Sequence, residues 1–235
     1  MRIRTFLGST LLALAVSASA QFPGAMPSAP MRYNTALLMN PQVQKDMHLS
    51  PEVAQKSMNI MITVASKHMA SLMGSMTGKP KSAAERAKEE KEILAVNDEI
   101  QSQTLKLLTP SQKVRLREIS LQQGGGASFS DPQLCHEVGL SAKQTSTIQA
   151  TLARIASKAM SQMGGGKGLG GMMSGPGGKP DISGMMATQK KAKQDSDAAV
   201  NAILTPSQKA RYEKLKGRPI VLKGSMGMGG MFGGM

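Results

Sequence analysis

The chain has one cysteine, no tryptophan and only 3% aromatic residues. A lone cysteine excludes an intrachain disulfide framework. Cys135 stands between Leu134 and Val138 in a short apolar pattern, which predicts a half-buried, inert thiol, with an intermolecular or redox role as the alternative. So few rings exclude a large aromatic core. They also argue against recognition of single-stranded nucleic acid, which relies on base stacking.

Recognisable catalytic motifs are missing as well. The chain has three histidines, and its sequence contains no H-E-x-x-H, no G-x-S-x-G and no G-x-x-x-x-G-K-[ST] pattern. The carboxylates of Glu89, Glu90 and Glu92 alternate with lysines, as on a solvated helix face. We therefore expect a protein that is not an enzyme, and we expect no cofactor.

No apolar run is long enough to cross a bilayer, which takes about 20 residues. The one marked run, residues 6–16, follows two arginines and precedes the small residues 18–20. This order is typical of a secretory signal peptide, cleaved here after Ala20. Position 21 is Gln rather than Cys, which disfavours a lipid-anchored precursor. We predict an exported protein without a transmembrane segment.

Acidic residues are scarce: 15 Asp and Glu stand against 29 Lys and Arg, a net charge of +14 at pH 7. Such a charge favours acidic partners, which include nucleic acid, anionic membranes and acidic protein segments. Because export separates the protein from most nucleic acid, we expect no nucleic-acid partner. The basic residues are spread over both halves of the chain, which weakens the case for a membrane-surface helix.

The chain contains an internal sequence repeat, with two stretches of its first half matched in its second half. NPQVQKDMHLS from Asn40 corresponds to DPQLCHEVGLS from Asp131, and LLTPSQKVRL from Leu107 corresponds to ILTPSQKARY from Ile203. Internal similarity of this kind predicts tandem copies of one supersecondary unit. Apolar residues recur at steps of three and four, and no stretch alternates as a strand does. We predict an all-α fold of two tandem antiparallel helical hairpins.

Composition sets the predicted boundaries, because Gly-, Met- and Pro-rich stretches lack the periodicity of packed helices. In chain order they are a signal peptide (1–20), a disordered segment (21–36), helical repeat 1 (37–123), a Gly-rich linker (124–129), helical repeat 2 (130–223) with a low-complexity loop (164–180), and a disordered Gly/Met tail (224–235).

The first long helix is predicted from Pro51 to about Met73, and its counterpart over residues 142–163. The first carries an apolar stripe, for which packing into a core is the favoured interpretation because Met is a common core filler. The stripe consists of Ala54, Met58, Met61, Ala65, His68, Leu72 and Met76.

The repeated sequence motifs predict that several helices begin with a capping box. In a capping box, a Ser or Thr hydroxyl accepts from the amide three residues on, and a Gln there accepts from the amide of the cap. Pro in the first helical position suits such a start. A weaker copy has Val53 in the Gln position. The four motifs, read as structural, are Leu49–Ser50, Leu108–Thr109–Gln112, Leu140–Ser141–Gln144 and Leu204–Thr205–Gln208.

Four such motifs in an exported, basic, helical chain resemble the Spy/CpxP-like (LTxxQ-motif) family of periplasmic proteins. The resemblance covers about residues 37–220, in two copies. It implies small antiparallel helical proteins that often dimerise into a curved basic cradle. This chain departs from the family in being duplicated. We therefore expect the halves to pack as an intramolecular pseudo-dimer, with a homodimer as the alternative.

The resemblance implies an ATP-independent periplasmic chaperone for unfolded or aggregation-prone envelope proteins. Basic side chains would attract acidic client segments, and methionines would make adaptable contacts. An envelope protein that binds Cu(I) through His68 and Met69 is one alternative, and a non-catalytic stress-regulatory partner is another. The residues expected to contact clients are Lys56, Met58, Met61, Lys67, Met69, Met73, Lys158 and Met160.

Overall fold

The computed structural model describes residues 32–68, 82–164 and 182–222. All regular structure in these ranges is helical, which confirms the predicted all-α class. The elements are a first 3-10 helix Thr35–Met39, α1 Pro41–Asp46, α2 Pro51–Lys67, α3 Ala83–Lys106, α4 Pro110–Gly124, a second 3-10 helix Gly125–Ser130, α5 Pro132–Val138, α6 Ala142–Gly164, α7 Ile182–Ile203 and α8 Pro206–Lys216.

Several predicted segments lie outside the described residues. They are the signal peptide, most of the 21–36 segment, nearly all of the 164–180 loop and the Gly/Met tail. Among the helices of the described ranges, none combines the length and the apolar character that crossing a membrane would take.

The two halves of the chain follow one order of elements. Each half has a 3-10 helix, a short α-helix, two long α-helices and a final α-helix. In the first half α2 packs against α3, and in the second α6 packs against α7. The halves meet where α4 packs against α8.

The predicted capping boxes begin the helices as expected. At Thr109 and Thr205 the hydroxyl accepts from the glutamine amide at 3.3 Å, and the glutamine side chain accepts from the threonine amide at 3.0 and 2.9 Å. Ser141 forms the same two bonds, at 3.2 and 3.0 Å. Ser50 accepts from the amide of Val53 at 3.3 Å, but valine has no acceptor to complete the box.

The glutamines of these boxes also join helix starts to helix ends. Gln112 Nε2 donates to the carbonyl of Met47 at 3.3 Å, and Gln208 Nε2 donates to that of Gly139 at 2.9 Å. Gln144 Nε2 lies 2.9 Å from Gln208 Oε1, so the two amides of the second half bind each other. Each of the three motifs with a glutamine therefore fixes a corner as well as a helix start.

Each half has its own buried apolar cluster, built on its 3-10 helix, its short helix and its last helix. In the second half the cluster extends into the hairpin through Ile148, Leu152 and Val200. In the first half α2 and α3 bury smaller side chains that stand apart from the main cluster. Those are Ser57, Val64, Val96 and Thr104.

Residues 124–129, predicted as a Gly-rich linker, belong to the folded core. They form most of the second 3-10 helix, and Phe129 is fully buried with its ring centroid 4.8 Å from that of Tyr212. The amide of Gly126 donates to Asp197 Oδ1 at 2.5 Å, and a Cβ at this glycine would collide with the backbone of α7. The linker prediction is wrong because these glycines allow close packing.

Each end of the described chain contacts the half of the molecule to which it does not belong in sequence. Arg32, in the segment 21–36 predicted to be disordered, forms an ion pair with Glu137 on α5 at 3.8 Å. At the other end, residues 217–222 lie on the first half, with apolar side chains packed against its cluster. The predicted disorder at Arg32 and the assignment of residues 217–222 to repeat 2 (130–223) are therefore wrong.

Candidate functional site

The exposed apolar side chains of α2 form the candidate site. Met58 and Ile62 are 41% and 50% exposed, and residues four apart on a helix are neighbours on one face. Met61 lies half-buried beside them. We call Met58, Met61 and Ile62 the α2 face. Sequence reasoning missed Ile62, although its spacing from Met58 was the available signal.

The core side of α2 is not the predicted stripe. Ser57 and Val64 are each 2% exposed, and seven residues bring them to the same side of the helix. The Ser57 hydroxyl donates to the carbonyl of Val53 at 2.8 Å, so the buried hydroxyl has a hydrogen-bond partner. Met58 is turned away by about 100°. The prediction of core packing is therefore wrong for Met58.

Two lysines predicted to join these methionines lie on the other side of α2. At about 100° per residue, Lys56 is about 160° and Lys67 about 180° around the axis from Met58. Lys56 is paired with Glu52 at 2.6 Å, and Lys67 with Glu99 at 3.1 Å. No residue between the two lysines is charged. The α2 face is therefore an uncharged surface, separate from the lysines.

His68 lies in the turn that ends α2, which stops at Lys67 rather than near Met73 as predicted. Its Nε2 lies 3.3 Å from Glu99 Oε2. Hydrogen bonds from Lys67 and then His68 hold the pKa of Glu99 below its usual value. Within residues 32–68, 82–164 and 182–222, no cluster of three His, Cys, Asp or Glu side chains could hold a metal ion.

The remaining predicted contact residues are scattered or undescribed. Lys158 is exposed on α6, far along the chain from the α2 face. Met69 and Met73, and the side chain of Met160, lie outside what the structure describes. The predicted set of lysines and methionines does not form one surface among the described residues.

The corresponding surface of the second half has different chemistry. By the alignment of Asn40 with Asp131, Met58 corresponds to Gln149 and Ile62 to Ala153. Gln149 is half-buried and Ala153 is exposed on α6. Among the side chains that the structure describes, an exposed apolar strip is thus present on α2 and absent from α6.

The lone cysteine belongs to the core of the second half. Cys135 is 2% exposed, more deeply buried than predicted, and its thiol donates to the carbonyl of Phe129 at 3.2 Å. Burial raises the pKa of the thiol. Because the thiolate is the reactive form, this environment makes the group inert.

Comparisons with protein-family models, with curated proteins and with solved structures find no match for this chain. The Spy/CpxP-like resemblance therefore stays a prediction.

Proposed function

We propose that this protein is a non-enzymatic, ATP-independent chaperone of the periplasm that holds apolar segments of unfolded clients on the α2 face. The observation that carries this proposal is the exposure of Met58 and Ile62, 41% and 50%, on a stretch without charge. Single exposed apolar residues are ordinary on protein surfaces. Here two of them adjoin Met61 in one strip, and Met adapts to partners of varied shape.

The charge of the protein supports a separate step, the encounter with clients. The net charge of +14 attracts acidic segments over a distance and speeds association at low salt. Exposed cations also lie on helices other than α2, on α6 at Lys158 and on α8 at Lys209 and Lys214. We infer that charge steers the client and that the uncharged α2 face then holds it. Release follows from folding of the client itself.

The arrangement of the halves supports the pseudo-dimer that the resemblance suggests. α4 and α8 contact each other, and each end of the described chain lies on the opposite half. We propose that one duplicated chain builds here what related single-copy proteins build from two chains. Metal handling has no comparable support within the described ranges, where no three His, Cys, Asp or Glu side chains come together as a metal site would need.

Light scattering of a reduced, aggregating model protein, with chelator and without ATP, tests this function. The whole chain is expected to suppress aggregation at a near-stoichiometric ratio. Met58→Ser with Ile62→Ser should lose most of the suppression. The control Val114→Ser, which removes a 61% exposed side chain from α4, should keep it.

Circular dichroism establishes that each variant keeps its helices. Full suppression by the double variant would place the client surface elsewhere on the molecule. No suppression by the unsubstituted chain, even at several-fold excess, would reject a chaperone and favour a single regulatory partner or metal handling.

A further inference from the structure

Residues 217–222, the C-terminal arm, lie on the first half as an extended peptide lies in a groove. The arm leaves α8 at Gly217, which has a positive φ of 59° that other residues rarely adopt. A side chain at this position would also collide with the carboxylate of Glu118 on α4. Glycine therefore lets the chain turn sharply from α8 onto the first half.

The arm is held largely through its backbone. Gln122 Nε2 donates to the carbonyls of Lys216 and Arg218 at 2.6 and 2.8 Å. Gln122 Oε1 accepts from the amide of Ile220 at 2.9 Å. Arg115 Nη1 donates to the carbonyl of Arg218 at 2.7 Å. Backbone contacts of this kind bind an extended segment whatever its side chains are.

The side chains of the arm alternate between the groove and solvent. Ile220 and Leu222 pack against the apolar cluster of the first half, whereas Val221 between them is 80% exposed. This alternation is the pattern of an extended chain on a surface. Specificity in such sites comes from the alternate side chains that enter the groove.

Asp46 on α1 forms an ion pair with Arg218, the basic residue of the arm. Arg218 Nη2 donates to Asp46 Oδ1 at 2.7 Å, while Arg115 Nε donates to Asp46 Oδ2 at 2.5 Å. Asp46 is fixed by Arg115, whose side chain is only 12% exposed. Arg218 itself is 68% exposed. The groove thus keeps a positioned carboxylate for a basic residue that solvent can reach.

We propose that this groove is a peptide-binding site and that the C-terminal arm is its resident occupant. Its ligands are extended protein segments with a basic residue followed by apolar residues two and four positions later. A tethered arm competes at an effective concentration on the order of millimolar, so a ligand must displace it to bind. The site is distinct from the α2 face and does not depend on the chaperone proposal.

Fluorescence anisotropy of a labelled peptide, Gly-Arg-Pro-Ile-Val-Leu, added to the whole chain tests the site. Ile220→Ser with Leu222→Ser loosens the tethered arm, so the peptide should bind about tenfold more tightly than to the unsubstituted chain. Val221→Ser is the matched control in the same arm and should leave the affinity unchanged. Adding Gln122→Ala to the loosened variant should abolish the gain, because the backbone contacts are lost.

Circular dichroism and thermal melting report whether each variant is folded. If the loosened variant does not fold, Arg218→Ala supplies a second reading: it removes one exposed ion pair and should raise the affinity by a smaller factor. Equal peptide affinity for all chains, or no binding to any, overturns the proposal. If the peptide test fails but the chain still suppresses aggregation, the groove is rejected as a peptide site, and the proposed role of the α2 face is unaffected.

Discussion

α2 and α6 occupy corresponding places in the two halves, yet they place their apolar side chains differently. α6 buries Ile148 completely where α2 buries Ser57. On the outer side, α2 exposes Met58 where α6 has Gln149. α6 therefore has Ile148 and Leu152 inside, whereas α2 has Met58 and Ile62 outside.

This difference shows how a duplicated unit can divide two tasks. Burying one isoleucine side chain stabilises a fold by about 1.5–3 kcal/mol, and a buried serine bonded within its own helix contributes far less. The second hairpin therefore stabilises the molecule more strongly. The first, relieved of that role, offers an apolar surface that a partner can cover.

The largest expected effect comes from giving α6 the side chain of α2. Ile148→Ser should lower the free energy of unfolding by about 4 kcal/mol, because it leaves a cavity and buries a hydroxyl. The matched variant Ser57→Ala should cost less than about 1 kcal/mol, since the Ser57 hydroxyl bonds only within α2. Urea unfolding followed by circular dichroism measures both. Similar losses in the two variants would contradict the division of tasks.

The helix starts could be predicted from the sequence because they are local. Thr109 and Gln112 are three residues apart, and a capping box needs nothing beyond that spacing and a hydroxyl. The same holds for Thr205 and for Ser141. Sequence reasoning succeeds where partners are close along the chain.

The candidate site could be predicted only in part, because its geometry depends on distant partners. Steps of four and three residues locate a helical face but do not say which face meets α3, so Met58 was placed both in a core stripe and among the expected client contacts. Phe129 stands in a glycine-rich stretch whose packing against Tyr212 no local pattern reveals. The crossing of Arg32 to Glu137 is likewise a contact between distant residues.

A smaller loss of stability is expected from replacing Asp46, the acidic residue that ends the short helix α1. Asp46→Asn should lower the free energy of unfolding at pH 7 by about 1.5 kcal/mol, because charge-assisted bonds from two arginines are lost. The hydrogen bond from Arg115 holds the pKa of Asp46 below its usual 3.8. Its contribution is therefore complete above that value and lost as the pH falls through the lower, folded-state pKa.

Urea unfolding at several pH values tests this sign. The unsubstituted chain and the Asp46→Asn variant should differ at neutral pH and converge in acid. Glu52→Gln is the control, since its ion pair with Lys56 is exposed to solvent, and it should change nothing measurable. A constant difference between the chain and Asp46→Asn at all pH values would rule out the carboxylate as the cause.

The smallest expected loss of stability comes from replacing a capping-box glutamine that joins a helix start to a neighbouring helix end. Gln144→Val makes the second-half motif resemble Ser50 and Val53 of the first half, removing the bonds to Ser141, Ile203 and Gln208. The loss should be about 1 kcal/mol. Gln149→Val, the same change farther along α6, controls for the helix propensity of valine. Equal melting temperatures for the two variants would show that the glutamine corner contributes nothing.

The most direct measurement places a photoreactive benzoylphenylalanine at Met58 in one chain and at Gln149 in another. Each is irradiated with a reduced, unfolded client, and the yield of crosslinked adduct is compared. Because Met58 lies in the exposed apolar strip of α2 and Gln149 has no such strip around it among the described side chains of α6, we expect several-fold more adduct from position 58. Equal yields, or more adduct from position 149, would contradict the assignment of client binding to the α2 face.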